Sequence, residues 1–194
     1  MKVNAGELKG RRLRSPKGDH IRPTNDKVKE AMFSMLIPFM YDGFVAVDLF
    51  TGSGNLGIEA ISRGAGRVFF SDDSRESLAL ARENLRLCGV LDRAVLLSGD
   101  FRANIKRINQ KVDIYLLDPP YADGCIVPAL ETIAEKGNLR EGGVIVCEHA
   151  FKEKLPEEVC GFEVIKSRRY GAIGVTIYRG KVSENEKSPD SGQL

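Results

Sequence analysis

Short apolar segments alternate with helical segments along the middle of the chain, from residue 44 to residue 147. The apolar segments, which we interpret as strands, are Phe44–Phe50, Arg67–Ser71, Ala94–Ser98, Val112–Leu117 and Val144–Cys147. The helical segments between them are Asn55–Arg63, Ser74–Cys88, Phe101–Ile108 and Cys125–Glu135. Strands that alternate with helices form a parallel sheet that is covered by helices on both faces. The pattern therefore predicts an α/β, Rossmann-like fold.

A different pattern follows this series. Two extended segments, Phe162–Arg169 and Val175–Arg179, meet at a turn that contains Gly171 and Gly174. Adjacent strands joined by a short glycine turn pair in antiparallel fashion. We therefore expect a mainly parallel, seven-stranded sheet that ends in an antiparallel C-terminal hairpin.

The two ends of the chain differ from this central part. Residues 1–22 hold seven basic and two acidic side chains, and glycines and a proline interrupt two short extended pieces, Lys2–Ala5 and Arg11–Arg14. Residues 181–194 are almost entirely polar, a composition that cannot bury a core. We predict a small basic β-hairpin arm at 1–22, a main domain at 23–180 and a disordered tail at 181–194.

Composition excludes several classes of protein. The four cysteines form no C-x-x-C pair, so we predict neither a zinc site nor any other metal site. The N-terminus lacks the apolar stretch of a secretory signal, and no apolar run reaches a membrane-spanning length. The net charge of +2 identifies no partner by itself. These features favour a reduced, cytoplasmic protein without a membrane partner, which we expect to be a monomer.

An aspartate lies at the carboxyl end of each of the first four predicted strands. These residues are Asp48, Asp72, Asp100 and Asp118. Because the carboxyl ends of parallel strands lie at one edge of a sheet, the four carboxylates form a row of hydrogen-bond acceptors there. Open α/β sheets bind their ligands at this edge.

A glycine-rich segment follows the first of these acids. Gly52, Gly54 and Gly57 fit the pattern G-x-G-x-x-G, with Ser53 between the first two, and Asp72 comes 18 residues after Gly54. The glycines allow a tight turn and a close approach of a ligand, and the later acid is placed to accept from ribose hydroxyls. The pattern also fits a nucleotide-binding oxidoreductase that uses NAD.

The position of Asp48 separates a site for a dinucleotide such as NAD from a site for S-adenosylmethionine. It lies four residues before Gly52, where it would repel the diphosphate of a dinucleotide. S-adenosylmethionine carries no phosphate, and its ammonium and sulfonium groups are cationic. An acid-lined glycine turn therefore favours S-adenosylmethionine over NAD.

Asp100 has two possible roles. Its carboxylate could accept from the amino group of adenine, with Phe101 beside the ring, or it could cap the helix that begins at Phe101. The sequence does not separate them.

The segment Leu117-Asp118-Pro119-Pro120-Tyr121 ends the fourth strand. Neither proline can donate to a strand ladder, and both fix φ near −65°. The chain therefore turns at a rigid corner that offers a carboxylate, free carbonyls and an aromatic ring. Such a corner suits a planar base with an exocyclic amino group. The alternative is a loop whose prolines do no more than end the strand.

Taken in order, the Asp48–Gly57 loop, Asp72, Asp100 and Asp118–Tyr121 resemble a class I S-adenosylmethionine-dependent methyltransferase. The Asp-Pro-Pro-Tyr form resembles the motif of enzymes that methylate adenine N6 or guanine N2. Two further segments narrow the resemblance to the bacterial 16S ribosomal RNA guanine-N2-methyltransferase family. They are Ala5-Gly6-Glu7-Leu8-Lys9-Gly10-Arg11-Arg12-Leu13 and Arg22-Pro23-Thr24-Asn25-Asp26-Lys27-Val28-Lys29-Glu30-Ala31-Met32-Phe33.

This resemblance implies roles for individual residues. S-adenosylmethionine would be held by the glycine loop and the strand-end acids, with Arg22 and Thr24 closing over it. Asp118, Pro119, Pro120 and Tyr121 would form the catalytic corner. Within the loop, Thr51 stands where alanine is commoner, and Asn55 replaces a usual small residue.

The RNA partner would be 16S rRNA, in the small ribosomal subunit or an assembly intermediate. Four basic residues of the arm would contact its phosphates: Lys9, Arg11, Arg12 and Arg14. A solvated arm without function is the alternative. For the whole chain the alternatives are an adenine-N6 methyltransferase, an NAD-type oxidoreductase, and an RNA-binding module with a vestigial site.

Overall fold

The computed structural model describes residues 1–16, 26–120 and 124–181. Three of the predicted site residues, Arg22, Thr24 and Tyr121, lie outside these described residues. So does the predicted tail, apart from Lys181.

Within the described ranges the chain forms one eight-stranded sheet in the order β3-β2-β1-β4-β5-β8-β7-β6. The strands are β1 Val45–Asp48, β2 Arg67–Asp72, β3 Ala94–Ser98, β4 Val112–Leu117, β5 Leu139–Ala150, β6 Glu158–Val159, β7 Phe162–Tyr170 and β8 Ile173–Gly180. The α-helices are α1 Asp26–Leu36, α2 Asn55–Ser62, α3 Arg75–Cys88, α4 Phe101–Arg107 and α5 Ile126–Lys136. Two short 3₁₀ turns, Ile37–Phe39 and Leu91–Arg93, complete the elements.

Strands β1 to β5 are mutually parallel. Strand β8 is antiparallel to β5, and β7 is antiparallel to β8. It follows that β7 runs in the same direction as β5. The carboxyl ends of β1 to β5 and of β7 therefore lie at one edge of the sheet, which we call the carboxyl edge. The α/β Rossmann-like class that the sequence predicts is confirmed.

Two hydrophobic clusters pack against the two faces of the sheet. The first joins the arm and helices α1 to α3 to one face, and the second joins α4 and α5 to the other. Strand β4 lies between them and is buried at every residue. A strand that is covered on both faces is mostly apolar, which explains why the run Ile114–Leu117 is visible in the sequence. The buried Asp113 near the start of the strand accepts from the Tyr41 hydroxyl and from Val45 N–H.

The sheet differs from the prediction in strand number and in two strand boundaries. The eighth strand, β6, has two residues, too few to show an alternating pattern. Strand β1 spans Val45–Asp48, shorter than predicted. Strand β5 begins at Leu139, before the glycines Gly142 and Gly143 that were expected to precede it, and its pairing with β4 shifts register here. These glycines lie at an irregularity inside the strand, as glycines in β-bulges do.

The arm is a hairpin-like segment that is docked on the main domain. A single antiparallel bridge joins Lys2 to Arg12. Three of its apolar side chains enter the first hydrophobic cluster: Val3, Leu8 and Leu13. Because these side chains share the core of the sheet, the described part of the arm is fixed to the domain.

A close contact between Gly6 and α2 holds this position. Gly6 has φ +80°, and a Cβ there would lie 1.7 Å from the Ser62 carbonyl oxygen. The same carbonyl accepts from Glu7 N–H at 2.9 Å, and the Ser62 hydroxyl accepts from Leu8 N–H at 2.9 Å. Only a residue without a side chain allows this approach.

Within residues 1–16, 26–120 and 124–181, the helices are too short or too polar to cross a membrane.

Candidate active site at the carboxyl edge

Asp48 is the most deeply buried acid of the candidate site. Asp48 is the last residue of β1, and it is 1% exposed. One carboxylate oxygen, Oδ2, accepts from Gly57 N–H at 2.8 Å. The other, Oδ1, has no hydrogen-bond partner among the described residues. A buried acceptor without a donor is costly, so Oδ1 marks a place for a donor or a cation beyond the described residues.

The electrostatics of Asp48 agree with this interpretation. Burial raises the pKa of its carboxyl group to about 7, and the nearby charges of Asp118 and Asp72 add to this rise, while the Gly57 hydrogen bond opposes it. Three of the four strand-end acids therefore influence one another at the carboxyl edge. A bound cation would favour the ionised form of Asp48.

The glycine loop makes a compact turn between Asp48 and α2. The Thr51 hydroxyl donates to the Asp48 carbonyl at 2.9 Å, and Gly54 N–H donates to the Thr51 carbonyl at 2.8 Å. Gly52 and Gly54 have φ values of +52° and +82°, which side chains rarely allow. Thr51, a departure from the commoner alanine, thus contributes a hydrogen bond to the turn.

The third glycine of the pattern has a packing role. A Cβ at Gly57 would lie 2.2 Å from the ring of Phe70 in β2. The absence of a side chain lets α2 pack closely on the sheet, which places its first turn beside Asp48.

Asp72 organises the loops on either side of β2. Its Oδ2 accepts from Gly52 N–H at 2.8 Å, and its Oδ1 accepts from Ser74 N–H at 2.9 Å. Its backbone carbonyl accepts from Gly99 N–H at 3.0 Å. Burial raises the pKa of this carboxyl group, although the two backbone hydrogen bonds oppose the rise. Each carboxylate oxygen retains further acceptor capacity for ligand hydroxyls.

Asp100 caps α4, one of the two roles that the sequence allows. Its Oδ1 accepts from Arg102 N–H at 2.9 Å and from Ala103 N–H at 3.4 Å. The Phe101 ring is 8% exposed and lies between Phe50, at 5.4 Å between ring centroids, and the Arg102 guanidinium, at 4.6 Å. A contact of either residue with adenine stays a prediction.

The loop that carries Asp100 is fixed by a residue that sequence reasoning missed. The buried Asn104 side chain donates to the Ser71 hydroxyl at 3.0 Å and to the carbonyls of Leu97 and Gly99 at 3.1 and 3.0 Å. These contacts tie the end of β3 to β2.

The Asp118-Pro119-Pro120 corner follows β4 directly, beside the strand that ends in Asp48. Asp118 is half-buried, Pro119 is buried and Pro120 is exposed. The charge of Asp118 contributes to the raised pKa of Asp48, so the two carboxyl groups are close enough to interact. The structure therefore brings the predicted catalytic corner and the glycine loop to one place.

The four predicted RNA-binding residues of the arm are exposed: Lys9, Arg11, Arg12 and Arg14. Leu13 is buried between two of them, as the alternation along an extended segment requires. The Arg14 guanidinium forms an ion pair with Glu83 of α3 at 2.5 Å. The arm thus presents a basic surface that is held in place by its apolar residues.

Two further buried polar residues connect the arm to the site. Asn84, on α3, exchanges hydrogen bonds with the Arg14 backbone at 2.8 and 3.1 Å and donates to the Ser53 carbonyl of the glycine loop at 2.9 Å. The Ser53 hydroxyl donates to the Met1 sulfur at 3.5 Å. The spacing of Asn84 on a helix face gives no sign of this role, because its partners are distant in sequence.

Lys29 of α1 is the second buried polar residue that connects the arm to the site. Its ammonium donates to the Lys2 carbonyl at 2.6 Å and to Asn55 Oδ1 at 2.8 Å, and it pairs with Glu59. Burial lowers the pKa of Lys29, and the charge of Glu59 opposes this. Asn55, the second departure in the loop, thus receives a partner from α1 at the first residue of α2.

These features define the protein as a class I methyltransferase by its fold and site. The sheet ends in an antiparallel hairpin, the glycine loop is lined by acids, and an Asp-Pro-Pro corner follows the fourth strand. Residues 1–179 match the family described as conserved hypothetical protein 95, and the chain belongs to this family.

Relatives and a solved structure agree with this assignment. YlbH of Bacillus subtilis (strain 168), provisionally named an rRNA methyltransferase, is 38% identical over 183 residues, which cover 92% of this chain and 98% of YlbH. Ribosomal RNA small subunit methyltransferase D of Escherichia coli (strain K12) is 26% identical over 98% of this chain and 94% of its own. The E. coli protein YhhF, provisionally described as a methyltransferase, superimposes with a TM-score of 0.83 at 23% identity, covering 93% and 98% of the two chains. This last likeness concerns the fold.

S-adenosylmethionine is the cofactor that this class of methyltransferase uses, and the residues present fit it. Asp48 Oδ1, which has no partner among the described residues, suits a cationic ligand. No atom lies within 4 Å of the Cβ position of Gly52, so the loop backbone is open to close approach there. Asp72 offers acceptors for ribose hydroxyls at the neighbouring strand end.

Proposed function

We propose that the chain transfers a methyl group from S-adenosylmethionine to the exocyclic N2 of a guanine in 16S rRNA. The observation that carries the proposal is the Asp118-Pro119-Pro120 corner, which follows β4 beside the strand end that carries the buried Asp48. The names of the relatives, an rRNA methyltransferase and a ribosomal RNA small subunit methyltransferase, support this substrate. A 16S rRNA substrate places the proposed reaction in the cytoplasm.

Several residues would hold the cofactor, which supplies an electrophilic methyl group on sulfur. The carboxylate of Asp48 attracts its cationic part, and the backbone of Gly52, Ser53 and Gly54 lines one side. Asp72 accepts from its ribose hydroxyls. Asp100 and Phe101 are the candidates for adenine. We keep Arg22 and Thr24 as candidates for closing over the cofactor.

The corner would orient the substrate amine. An aromatic amine is a weak nucleophile because its lone pair is delocalised into the ring. In our proposal the Asp118 carboxylate and the Pro119 carbonyl each accept one hydrogen bond from the amine, which would direct its lone pair toward the methyl group for in-line displacement. The bond from N2 to the methyl carbon would form as the bond from sulfur to that carbon breaks, the sulfur would leave as a neutral thioether, and the Asp118 carboxylate would take the proton that N2 loses. The rigid φ of Pro119 and Pro120 fixes these acceptors before the substrate arrives.

The target guanine must leave its stack to reach this corner. We propose that Tyr121 stacks on the extruded base, which is worth roughly 1–3 kcal/mol for an aromatic side chain on a base. The exposed arm residues Lys9, Arg11, Arg12 and Arg14 would contact phosphates and hold the RNA nearby.

Methyl transfer from labelled S-adenosylmethionine tests the proposal. The substrates are purified small ribosomal subunits, an assembly intermediate, naked 16S rRNA and duplex DNA, each followed by mapping of the labelled nucleotide. We expect N2-methylguanine at one position of 16S rRNA. Label at adenine N6, or in DNA, would replace the proposal with the adenine-methyltransferase alternative. Failure to bind S-adenosylmethionine while binding NAD would replace it with the oxidoreductase.

A further inference from the structure

A second basic surface lies at the carboxyl edge, on the C-terminal hairpin. Strand β7 ends there with Arg168 and Arg169, and the loop after β5 begins there with Phe151 and Lys152. All four side chains are exposed. We call these four residues the hairpin patch.

The patch contains a stacked pair of side chains. The Arg169 guanidinium carbon lies 4.2 Å from the centroid of the Phe151 ring, and 44% of Phe151 is exposed. Arg169 Nε donates to the Gly171 carbonyl at 2.8 Å, and Phe151 N–H donates to the Ala172 carbonyl at 2.8 Å. The turn between β7 and β8 therefore holds the pair in place. An exposed cation–π pair adds little to stability, so the fold gives no strong reason for an exposed phenyl ring here.

The charges of the patch are not neutralised. Within the described ranges, no carboxylate forms an ion pair with any of the three basic residues of the patch, Lys152, Arg168 and Arg169. Acidic residues of the same hairpin lie at its opposite end, where Glu158 of β6 pairs with Glu163 of β7 in the strand register. The basic end of β7 is the end that lies at the carboxyl edge.

The strand order fixes the separation of the patch from the catalytic corner. From β7 the order passes through β8 and β5 to β4, which is three spacings of about 4.8 Å, or about 14 Å in total. A strand stacked at the rise of duplex DNA, about 3.4 Å per nucleotide, covers this distance with roughly four nucleotides, and an extended single strand needs fewer. The patch is therefore within reach of nucleotides that flank a base at Asp118.

We infer that the hairpin patch binds a single-stranded segment of the RNA substrate next to the target base. Arg168 and Arg169 follow one another in β7 and so point to opposite faces of the strand end. Their guanidinium groups contact phosphates of an RNA strand that crosses this end, and the Phe151–Arg169 pair offers a flat surface on which a base stacks. Aromatic rings and guanidinium planes are the usual platforms for unpaired RNA bases. The inference rests on the proposed function, since it assumes an RNA substrate.

Binding of naked 16S rRNA to two variants, Phe151→Ala and the double variant Arg168→Ala with Arg169→Ala, tests the inference. Arg67→Ala is the matched control, because Arg67 is also exposed but begins β2 at the opposite edge of the sheet. We expect each patch variant to weaken RNA binding about tenfold and to raise KM for RNA, with kcat and S-adenosylmethionine affinity unchanged. The double variant should also reduce the salt slope by roughly 1.4, at about 0.7 per lost phosphate contact. Arg67→Ala should match the wild type.

Two results would overturn the inference about the hairpin patch, and a third would overturn the proposed function. Unchanged RNA affinity and salt slope in both variants, with a wild type that methylates rRNA, would overturn the patch and leave the proposed function intact. Weaker binding to assembled subunits but not to naked RNA would assign the patch to a ribosomal protein and also overturn the inference. A wild type that methylates no RNA would overturn the proposed function itself. Phe151→Tyr keeps a stacking ring, so recovery of affinity in this variant supports the inference even if a truncated variant fails to fold.

Discussion

Lys29 Nζ lies 3.2 Å from Glu59 Oε2, and neither side chain is exposed to solvent. Glu59 also accepts from the backbone N–H groups of Asn4 and Ala5 at 2.8 and 3.1 Å. One buried ion pair thus connects the arm, α1 and the helix that follows the glycine loop. The arm is held against the cofactor loop by charge as well as by apolar contacts.

Replacing Lys29 with methionine should lower the free energy of unfolding by roughly 1–3 kcal/mol, because it leaves the buried Asn55 Oδ1 without its donor and takes one of two cations from Glu59. The other cation, Arg63, remains 2.8 Å from Glu59 Oε1. Urea unfolding followed by circular dichroism measures the change. Lys27→Met is the control, since Lys27 is exposed on the same helix and exposed substitutions usually change stability by less than about 0.5 kcal/mol. Equal stability of the two variants would show that the buried pair is not important for the fold.

Gly6→Ala should undock the arm, because the new Cβ would lie 1.7 Å from the Ser62 carbonyl oxygen. We expect RNA binding to weaken more than S-adenosylmethionine binding, and protease cleavage within the arm to accelerate. Gly10→Ala is the control for backbone strain. Gly10 has a similar φ of +86°, but no atom lies within 4 Å of its Cβ position, so a side chain there adds strain without a steric clash. If both variants bind RNA equally, steric docking at Gly6 is not the cause.

The affinity for S-adenosylmethionine should rise with pH through the pKa of Asp48, about 7. A cationic ligand binds the ionised carboxylate, and a carboxyl group with a raised pKa is protonated at the acid end of this range. Between pH 6 and pH 7.5 the affinity should increase about tenfold, following the ionised fraction. Isothermal titration calorimetry measures it. In Asp48→Asn the affinity should be weak and should lose this dependence. A wild-type affinity that stays constant across this range would contradict the role of Asp48.

Asp118→Asn should lower kcat for RNA by roughly 10²–10³-fold, the usual cost of losing one oriented group of this kind, while the variant still binds S-adenosylmethionine. Single-turnover methylation measures the rate. The same change removes a negative charge that raises the pKa of Asp48, so the pH midpoint for cofactor binding should move to lower pH. An unshifted midpoint would mean that the two carboxyl groups do not interact.

Much of this architecture follows from short-range patterns in the sequence. The apolar run Ile114–Leu117 of β4 and the acid at the carboxyl end of each of the first four strands predict the sheet and its ligand-binding edge, since both depend on neighbouring residues alone. The turn at Gly52 and Gly54 follows from the need for positive φ. These features required no knowledge of which distant segments meet.

The remaining features depend on contacts between residues that are far apart in the chain. Lys29 is one polar residue on a helix whose neighbours Val28 and Met32 indicate only a core face, and its partner Glu59 is 30 residues away. Asn84 likewise meets Arg14 only after α3 packs beside the arm. The hairpin patch could not be predicted either, because its position at the carboxyl edge depends on the direction of β7 in the sheet. Asp100 illustrates the opposite case, because its capping role was visible locally but could not be separated from a ligand role.

The lone acceptor Oδ1 of Asp48 has a consequence for the lifetime of the protein in the cell. Among the described residues no donor reaches this buried oxygen, and a ligand that binds only the folded state adds its binding free energy to the stability of that state. The melting temperature should therefore rise with the concentration of the methyl donor, and a shortage of donor should expose more of the population to proteolysis.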